Sequence, residues 1–239
     1  MGRTARVTVV APRKSISTRE RILDAAEHLI AQNGVYGFTL KDIADPLGVQ
    51  VPAIYKHYES RDDVLIEVSK RFVALLSQQF QYPPEGLSQP TATLREVLDR
   101  FVEFHFRHPA YVRLSLTDLA TPQGGMEYVR LAAGGPFREN LREGPLAAMH
   151  RRLKELIEAG QKAGEFRPVL ALNFYRVLKS TLLIQLVFPD DLLVADAQGS
   201  GATRPIKAFL WDVAYHYVTA TRAPAKAGKA ASVRFPPKT

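Results

Sequence analysis

No cysteine occurs in the 239 residues, which excludes disulfides, thiolate metal sites and cysteine nucleophiles. No apolar run approaches the roughly 18 residues that a membrane-spanning helix needs. The chain opens without a signal core, because the apolar stretch from Val7 is short and ends at Pro12, so a cytoplasmic location is expected. There is no glycine-rich phosphate loop and no Gly-x-Ser-x-Gly elbow, and the neighbouring Asp190 and Asp191 project differently rather than as an acid/base pair. Nothing here points to an enzyme. Strand-like alternation and internal repeats are also missing.

What the chain does have is positive charge, 32 Lys and Arg against 24 Asp and Glu, a net of +8. Its distribution matters more than its size. Residues 1–21 hold six basic groups and one acid, and residues 222–239 hold five basic groups and no acid. The 200 residues between them carry 21 basic and 23 acidic groups, so the body is slightly acidic. Both ends are rich in Pro, Ala, Gly, Ser and Thr and have little to build a core, so residues 1–16 and 223–239 read as flexible basic arms. Basic arms on a near-neutral body suit a polyanion, because each cation placed on a phosphate releases a counterion. They equally suit a solubility tail, and the body has to decide.

The body reads as successive helices. Ile22, Leu23, Ala26, Leu29 and Ile30 recur at three- and four-residue steps, giving a helix from Ser17 or Thr18 to Asn33. With Thr18 as the cap, Arg21 stands where a capping-box glutamate would be, so no box is expected; Gly34 supplies the stop. Shorter helices follow at Leu40–Leu47, capped by Thr39, and at Val51–Tyr58. Ser60 caps a long helix with Asp62 and Asp63 at its positive end, running to about Phe80. Amphipathic or apolar helices are expected at Thr93–Arg107, Tyr111–Leu119, Pro145–Ala163, Leu170–Phe188 and Thr203–Thr221, with loops at 120–136 and 189–202 rich in Gly or polar residues. The fold class is all-α.

The segment LKDIADPLGVQVPAIYKH, Leu40 to His57, has the spacing of a helix-turn-helix. Such a unit needs a small residue where its helices cross, a glycine able to take positive φ in the turn, and apolar residues that lock the second helix to the first. Counting Leu40 as the first position, Ala44 is fifth, Gly48 ninth and Ile54 fifteenth. Ile43, Leu47 and Val49 fill the other inward positions. The second helix would lie in the major groove with Ile54 and Tyr58 turned inward.

The longer run from Arg19 to Leu65 resembles the DNA-binding domain of the tetracycline-repressor (TetR) family. The resemblance rests on Asn33-Gly34, Phe38-Thr39, Ile43-Ala44, Leu47-Gly48-Val49, Ile54-Tyr55, His57-Tyr58 and the Ser60-capped helix. It implies an N-terminal three-helix domain over 17–60 and a larger helical effector-binding and dimerisation domain over 61–222. Carried over by position, it implies that Thr39, Lys41, Tyr55, Lys56 and His57 hold phosphates, with Tyr55 also near a base. Gln50, Val51, Pro52 and Ala53 would face base edges. Gln50 can read adenine bidentately, whereas the other three can meet only apolar surface such as thymine methyls. Three positions depart from the family pattern. Gln50 replaces a common capping Ser or Thr, Pro46 should bend or end the second helix early, and Arg61 replaces a lysine.

The expected function is that of a DNA-binding transcriptional regulator, a ligand-responsive repressor binding a pseudo-palindromic operator as a homodimer. Its ligand would be a small molecule of unknown identity. The alternative is a helical small-molecule-binding protein with a lost or altered DNA-reading role. Candidate effector contacts are the aromatic Phe101, Phe104 and Tyr111 and the polar His105, Arg113, Thr117 and Asp118, since a polar group buried in an apolar helix needs a partner. Against this stands the plainer reading of the aromatics as core. His105 and His108, three apart, lack an evident third ligand, so no metal and no other cofactor is expected. Phe174, Leu178, Leu182, Trp211 and Tyr215, from the two most apolar helices, are the candidate dimer surface.

Overall fold

The computed structural model describes residues 17–119, 143–187 and 203–219, and the expected arms and the two expected loops lie outside them. Within the described residues every helix and turn agrees with an all-α chain and there is no strand. The helices are α1 (Thr18–Asn33), α2 (Leu40–Leu47), α3 (Val51–Tyr55), α4 (Arg61–Gln78), α5 (Pro90–Arg107), α6 (Pro109–Leu119), α7 (Gly144–Lys162), α8 (Ala171–Val187) and α9 (Thr203–Thr219). A 3-10 helix, Pro84–Ser88, precedes α5. The described residues form two compact units: 17–81 with 100–119 and 143–151, and 82–99 with 152–187 and 203–219.

In the first unit, α1 starts one residue earlier than a Thr18 cap implies. Ser17 is the N-cap, accepting from the Glu20 amide at 3.2 Å while the Glu20 carboxylate accepts from the Ser17 amide at 3.0 Å. A full capping box is therefore present, and choosing the wrong hydroxyl residue hid it. The α1 face Ile22, Leu23, Ala26 and Ile30 is buried and packs on α2, α4 and α6. α4 sends Val64, Leu65, Val68, Phe72, Val73 and Leu76 inward, and its buried Ser69 hydroxyl donates to the Leu65 carbonyl at 2.8 Å. α5 and α6 begin earlier than their apolar runs suggest, at Pro90 and Pro109. Proline at a first helical position loses no helical hydrogen bond, so it opens these helices rather than only ending the segment before.

In the second unit, α8 packs on α9. Arg167 closes α9: its amide donates to the Val218 carbonyl at 2.7 Å and its Nε to the Tyr217 carbonyl at 2.6 Å. At the other boundary, the amides of Glu165 and Phe166 both return to the Gly160 carbonyl, and the Phe166 ring folds onto Gly160. A Cβ at position 160 would overlap that buried ring, which Phe166 could relieve only by leaving its place. Gly160→Ala is expected to cost about 1–3 kcal/mol through overpacking. Urea denaturation reads this directly, and an unchanged midpoint would refute the tight packing.

Candidate nucleic-acid interface

Thr39 caps α2 as expected, and a second capping box appears there. The Thr39 amide and hydroxyl both donate to the Asp42 carboxylate at 2.7 Å, and the Asp42 amide returns to Thr39 Oγ1 at 3.4 Å. Those hydrogen bonds, the hydroxyl's first, hold the Asp42 carboxyl below its usual range. The Thr39 hydroxyl hydrogen is thus engaged, and donating to a phosphate would mean exchanging Asp42 for it. Pro46 does not shorten the assigned span: α2 runs to Leu47. The reason is its place in the last turn, where only the bond to Asp42 is lost. Gly48 then closes the helix in the left-handed region (φ 67°), its amide reaching the carbonyls of Ala44 and Asp45.

The recognition helix is shorter than its sequence spacing implies. α3 ends at Tyr55, and Lys56 and His57 lie on a turn where the His57 and Tyr58 amides both bond to the Ile54 carbonyl, at 2.9 and 3.1 Å. Ile54 is fully buried and Tyr58 nearly so, which anchors this short element. Gln50 is the N-cap residue, yet its side chain makes no cap bond, so its amide is left for other work. Gln50, Pro52, Tyr55, Lys56 and His57 are exposed, as are Thr39 and Lys41, while Val51 and Ala53 are half-buried. The nine candidate residues therefore do gather along α2, the turn and α3. None of them is lost to the core.

Several other cations of the unit are paired with acids. Glu67 binds both Arg19 (2.8 Å) and Lys70 (2.7 Å), and Arg71 binds Asp24 (2.5 Å) and Glu27 (3.3 Å). Burial pushes the Glu67 carboxyl up, but hydrogen bonds from Lys70 and Arg19 outweigh it and hold the group below its usual range. Lys41 and Lys56 enter no ion pair among the described residues. Arg61, despite its exposed-looking position, lies against the rings of Tyr36 and Phe38 (5.7 and 5.6 Å) and donates to the Phe38 carbonyl at 3.4 Å. It fastens the start of α4 to the loop before Thr39. Tyr36 itself is 63% exposed and was not among the sequence candidates; no spacing rule marks a loop tyrosine.

The candidate effector residues are placed less favourably. Phe101, Phe104 and Tyr111 are fully buried or nearly so and pack with Phe72 and Phe80 as core, Tyr111 lying 4.8 Å from Phe72 and Phe80 5.8 Å from Phe101. His105 is buried between the Phe101 and Phe104 rings, its Nδ1 2.8 Å from the Phe101 carbonyl. Arg113 is exposed and so does not meet the condition of a buried polar group, because its position on α6 faces away from the stripe made by Ala110, Tyr111, Leu114 and Ser115. Thr117 is half-buried, and the Asp118 side chain lies outside the described residues. His108 is half-buried, and burial, with Arg107 and Arg71 nearby, holds its imidazole below its usual range. No cluster of three metal-ligating side chains is found among the described residues. A groove of about 310 Å³ opens between α1 and α2, lined by Arg21, His28, Pro46 and Leu47 among others, and none of these candidates reaches it.

The dimer candidates divide. Phe174, Leu178 and Leu182 are at most 1% exposed inside their own chain, so they cannot form a surface and that expectation is corrected. An all-round apolar helix must bury one stripe locally, and the i, i+4, i+8 stripe is the one α8 buries. Trp211 is half-buried beneath Arg95, 5.0 Å away, and Tyr215 is exposed. Ile184 and Val187, at the end of α8, are the exposed apolar groups that the sequence reading passed over.

A short anchored helix after a glycine turn, bordered by exposed Lys, Tyr, His and Gln, defines a helix-turn-helix DNA-binding protein. Residues 22–68 match the family described as bacterial regulatory proteins, tetR family. Over these residues the chain carries the DNA-binding domain of that family, and the similarities together support a TetR-family DNA-binding transcriptional regulator. It is 26% identical over 192 residues to the HTH-type transcriptional repressor NicS of Pseudomonas putida, covering 80% of this chain and 76% of that one. With the HTH-type transcriptional repressor KstR2 of Mycobacterium tuberculosis it shares 23% over 171 residues, 71% of this chain and 80% of the relative. A tetR-family regulatory protein from Rhodococcus RHA1 has the same fold, with a TM-score of 0.62 at 21% identity, covering 87% of this chain and all of that one. No described helix is long and apolar enough to cross a membrane.

Proposed function

We propose that this regulator is a ligand-responsive repressor that binds a pseudo-palindromic operator as a homodimer. The observation that carries the reading is the set of exposed side chains Lys41, Gln50, Tyr55, Lys56 and His57 around one buried anchor, Ile54. Lys41 and Lys56 supply point charges for phosphates, Tyr55 and His57 supply hydrogen-bond donors, and Gln50 faces a base edge beside Val51, Pro52 and Ala53. Thr39 joins the phosphate set by exchanging Asp42. The repressor assignment is supported by NicS and KstR2, both named as repressors.

Two recognition helices on a two-fold dimer would meet successive major grooves, and Ile184, Val187, Trp211 and Tyr215 are the groups proposed to face the second copy. The effector, a small molecule, is proposed to act at α5 and α6, where His105 and Thr117 are the polar groups within apolar packing. It can release DNA only by favouring one spacing of the recognition helices over another.

Selection of bound duplexes from a random pool tests the reading. The expected outcome is an inverted repeat, and Gln50→Ala should alter preference at one base position in each half, a discrimination of about 1–3 kcal/mol. A pool that yields no enriched sequence would overturn the proposal. Compounds that release the selected duplex would then identify the effector.

A further inference from the structure

One partly buried polar cluster, running from the buried Tyr111 out to the exposed Asp24, is left unused by this account. The Tyr111 hydroxyl, on α6, donates to the Glu27 carboxylate, on α1, at 2.7 Å. Arg71, on α4, bonds Glu27 at 3.3 Å and Asp24 at 2.5 Å. The Tyr111 ring is fully buried, with Phe72 of α4 at 4.8 Å, His108 at 5.1 Å and Phe104 of α5 at 5.8 Å. A single tyrosine thus touches α4 and α5 with its ring and α1 with its hydroxyl. Burial pushes the Glu27 carboxyl up, while the Tyr111 hydrogen bond and Arg71 oppose it, so the carboxylate stands where water screens it little.

The packing around the cluster is uneven. α1 packs more extensively against α6 than α4 does, and α1 also carries α2. Residues 100–119 and 143–151 group with the DNA-reading helices in one compact unit. A displacement of α6 therefore meets α1 directly.

We propose that Tyr111, Glu27 and Arg71 are positioning residues that set the angle at which α1 rides on α6. Through α1 they set the placement of the α2–turn–α3 pair, so that α6 is coupled to DNA reading by this route. The proposal rests on the function proposed above. A hydrogen bond anchored on a buried ring suits such a role because it is made in one arrangement and broken in another. None of the three residues needs to touch DNA.

The test uses the full chain with Tyr111→Phe, which keeps the ring, and Glu27→Gln, which keeps an acceptor but loses the charge. Each variant is titrated against a single half-site duplex and against two half-sites at a series of spacer lengths, all taken from the selected sequence. Single half-site affinity should stay within about twofold of the parent. Affinity for the best two-half-site duplex should fall about tenfold, the scale of one hydrogen bond to a charged group, and the preference among spacers should flatten. The double variant should lose at least as much as the more severe single one, since Tyr111→Phe removes the hydrogen bond and Glu27→Gln removes the ion pair with Arg71. A parent-like spacer profile, even with a lowered melting temperature, would show a purely structural cluster and overturn the proposal. An equal loss on half-site and full duplex would overturn it too. Failure of the parent itself to bind either duplex would instead sink the proposed function, and this inference with it.

Discussion

Alanine at both Tyr55 and His57 is expected to weaken binding to every DNA sequence by about the same factor, roughly a hundredfold or more, if each donates one hydrogen bond to a phosphate worth about 1.5–3 kcal/mol. Both side chains are exposed and contribute nothing to the core, so the melting temperature should not move. A hydrogen bond from a hydroxyl to a phosphate releases no counterion, so Tyr55→Phe alone should leave the slope of log affinity against log salt near the parent's. Lys41→Ala or Lys56→Ala should each lower that slope by about 0.9, with a smaller loss at high salt than at low salt. Fluorescence anisotropy at several salt concentrations separates the two behaviours. Unchanged affinity in the Tyr55/His57 variant would remove α3 from the interface.

Ile54→Ala is expected to be the most damaging single change in the DNA-reading part of the chain. α3 has five residues, far below the length at which a helix holds itself, so its place depends on side-chain anchoring. Ile54 is the one fully buried residue of that helix, and the carbonyl above it receives the amides of both His57 and Tyr58. Truncation should cost about 2–5 kcal/mol through lost burial and a cavity. DNA binding should disappear while most of the helical circular dichroism remains, because α4 to α9 do not depend on this side chain. Ile54→Val, at about 0.5–1.5 kcal/mol, should keep binding. Parent-like stability and affinity in the alanine variant would refute the anchor.

The pattern of the DNA-reading domain was legible because its constraints are local. Ser60 with its acidic first turn, Thr39 before Leu40, and Gly48 after Leu47 each act on residues within one helical turn, and each is found where its spacing places it. The errors were local too. The cap of α1 went to the second of two adjacent hydroxyl residues, and α3 was extended by apolar spacing through a turn that keeps the same inward positions, Ile54 and Tyr58, without regular helix. Arg61 looked like a conservative exchange of one cation for another. Its planar group instead rests against Tyr36 and Phe38, a contact a lysine ammonium makes less well.

For this protein, the amino-acid sequence alone determined the all-α class and the helix-turn-helix, because caps, turns and 3.6-residue periodicity are written within a few residues of where they act. It could not say which apolar stripe a helix keeps for itself. Phe174, Leu178 and Leu182 are as apolar as Ile184 and Val187, yet the first three are buried and the last two exposed. Nor could it bring Glu27 to Tyr111, 84 residues away, or share Arg71 between Asp24 and Glu27. Those pairings exist only once α1, α4 and α6 pack, because burial, not residue type, decides which charges stay in water and which must find a partner in the chain.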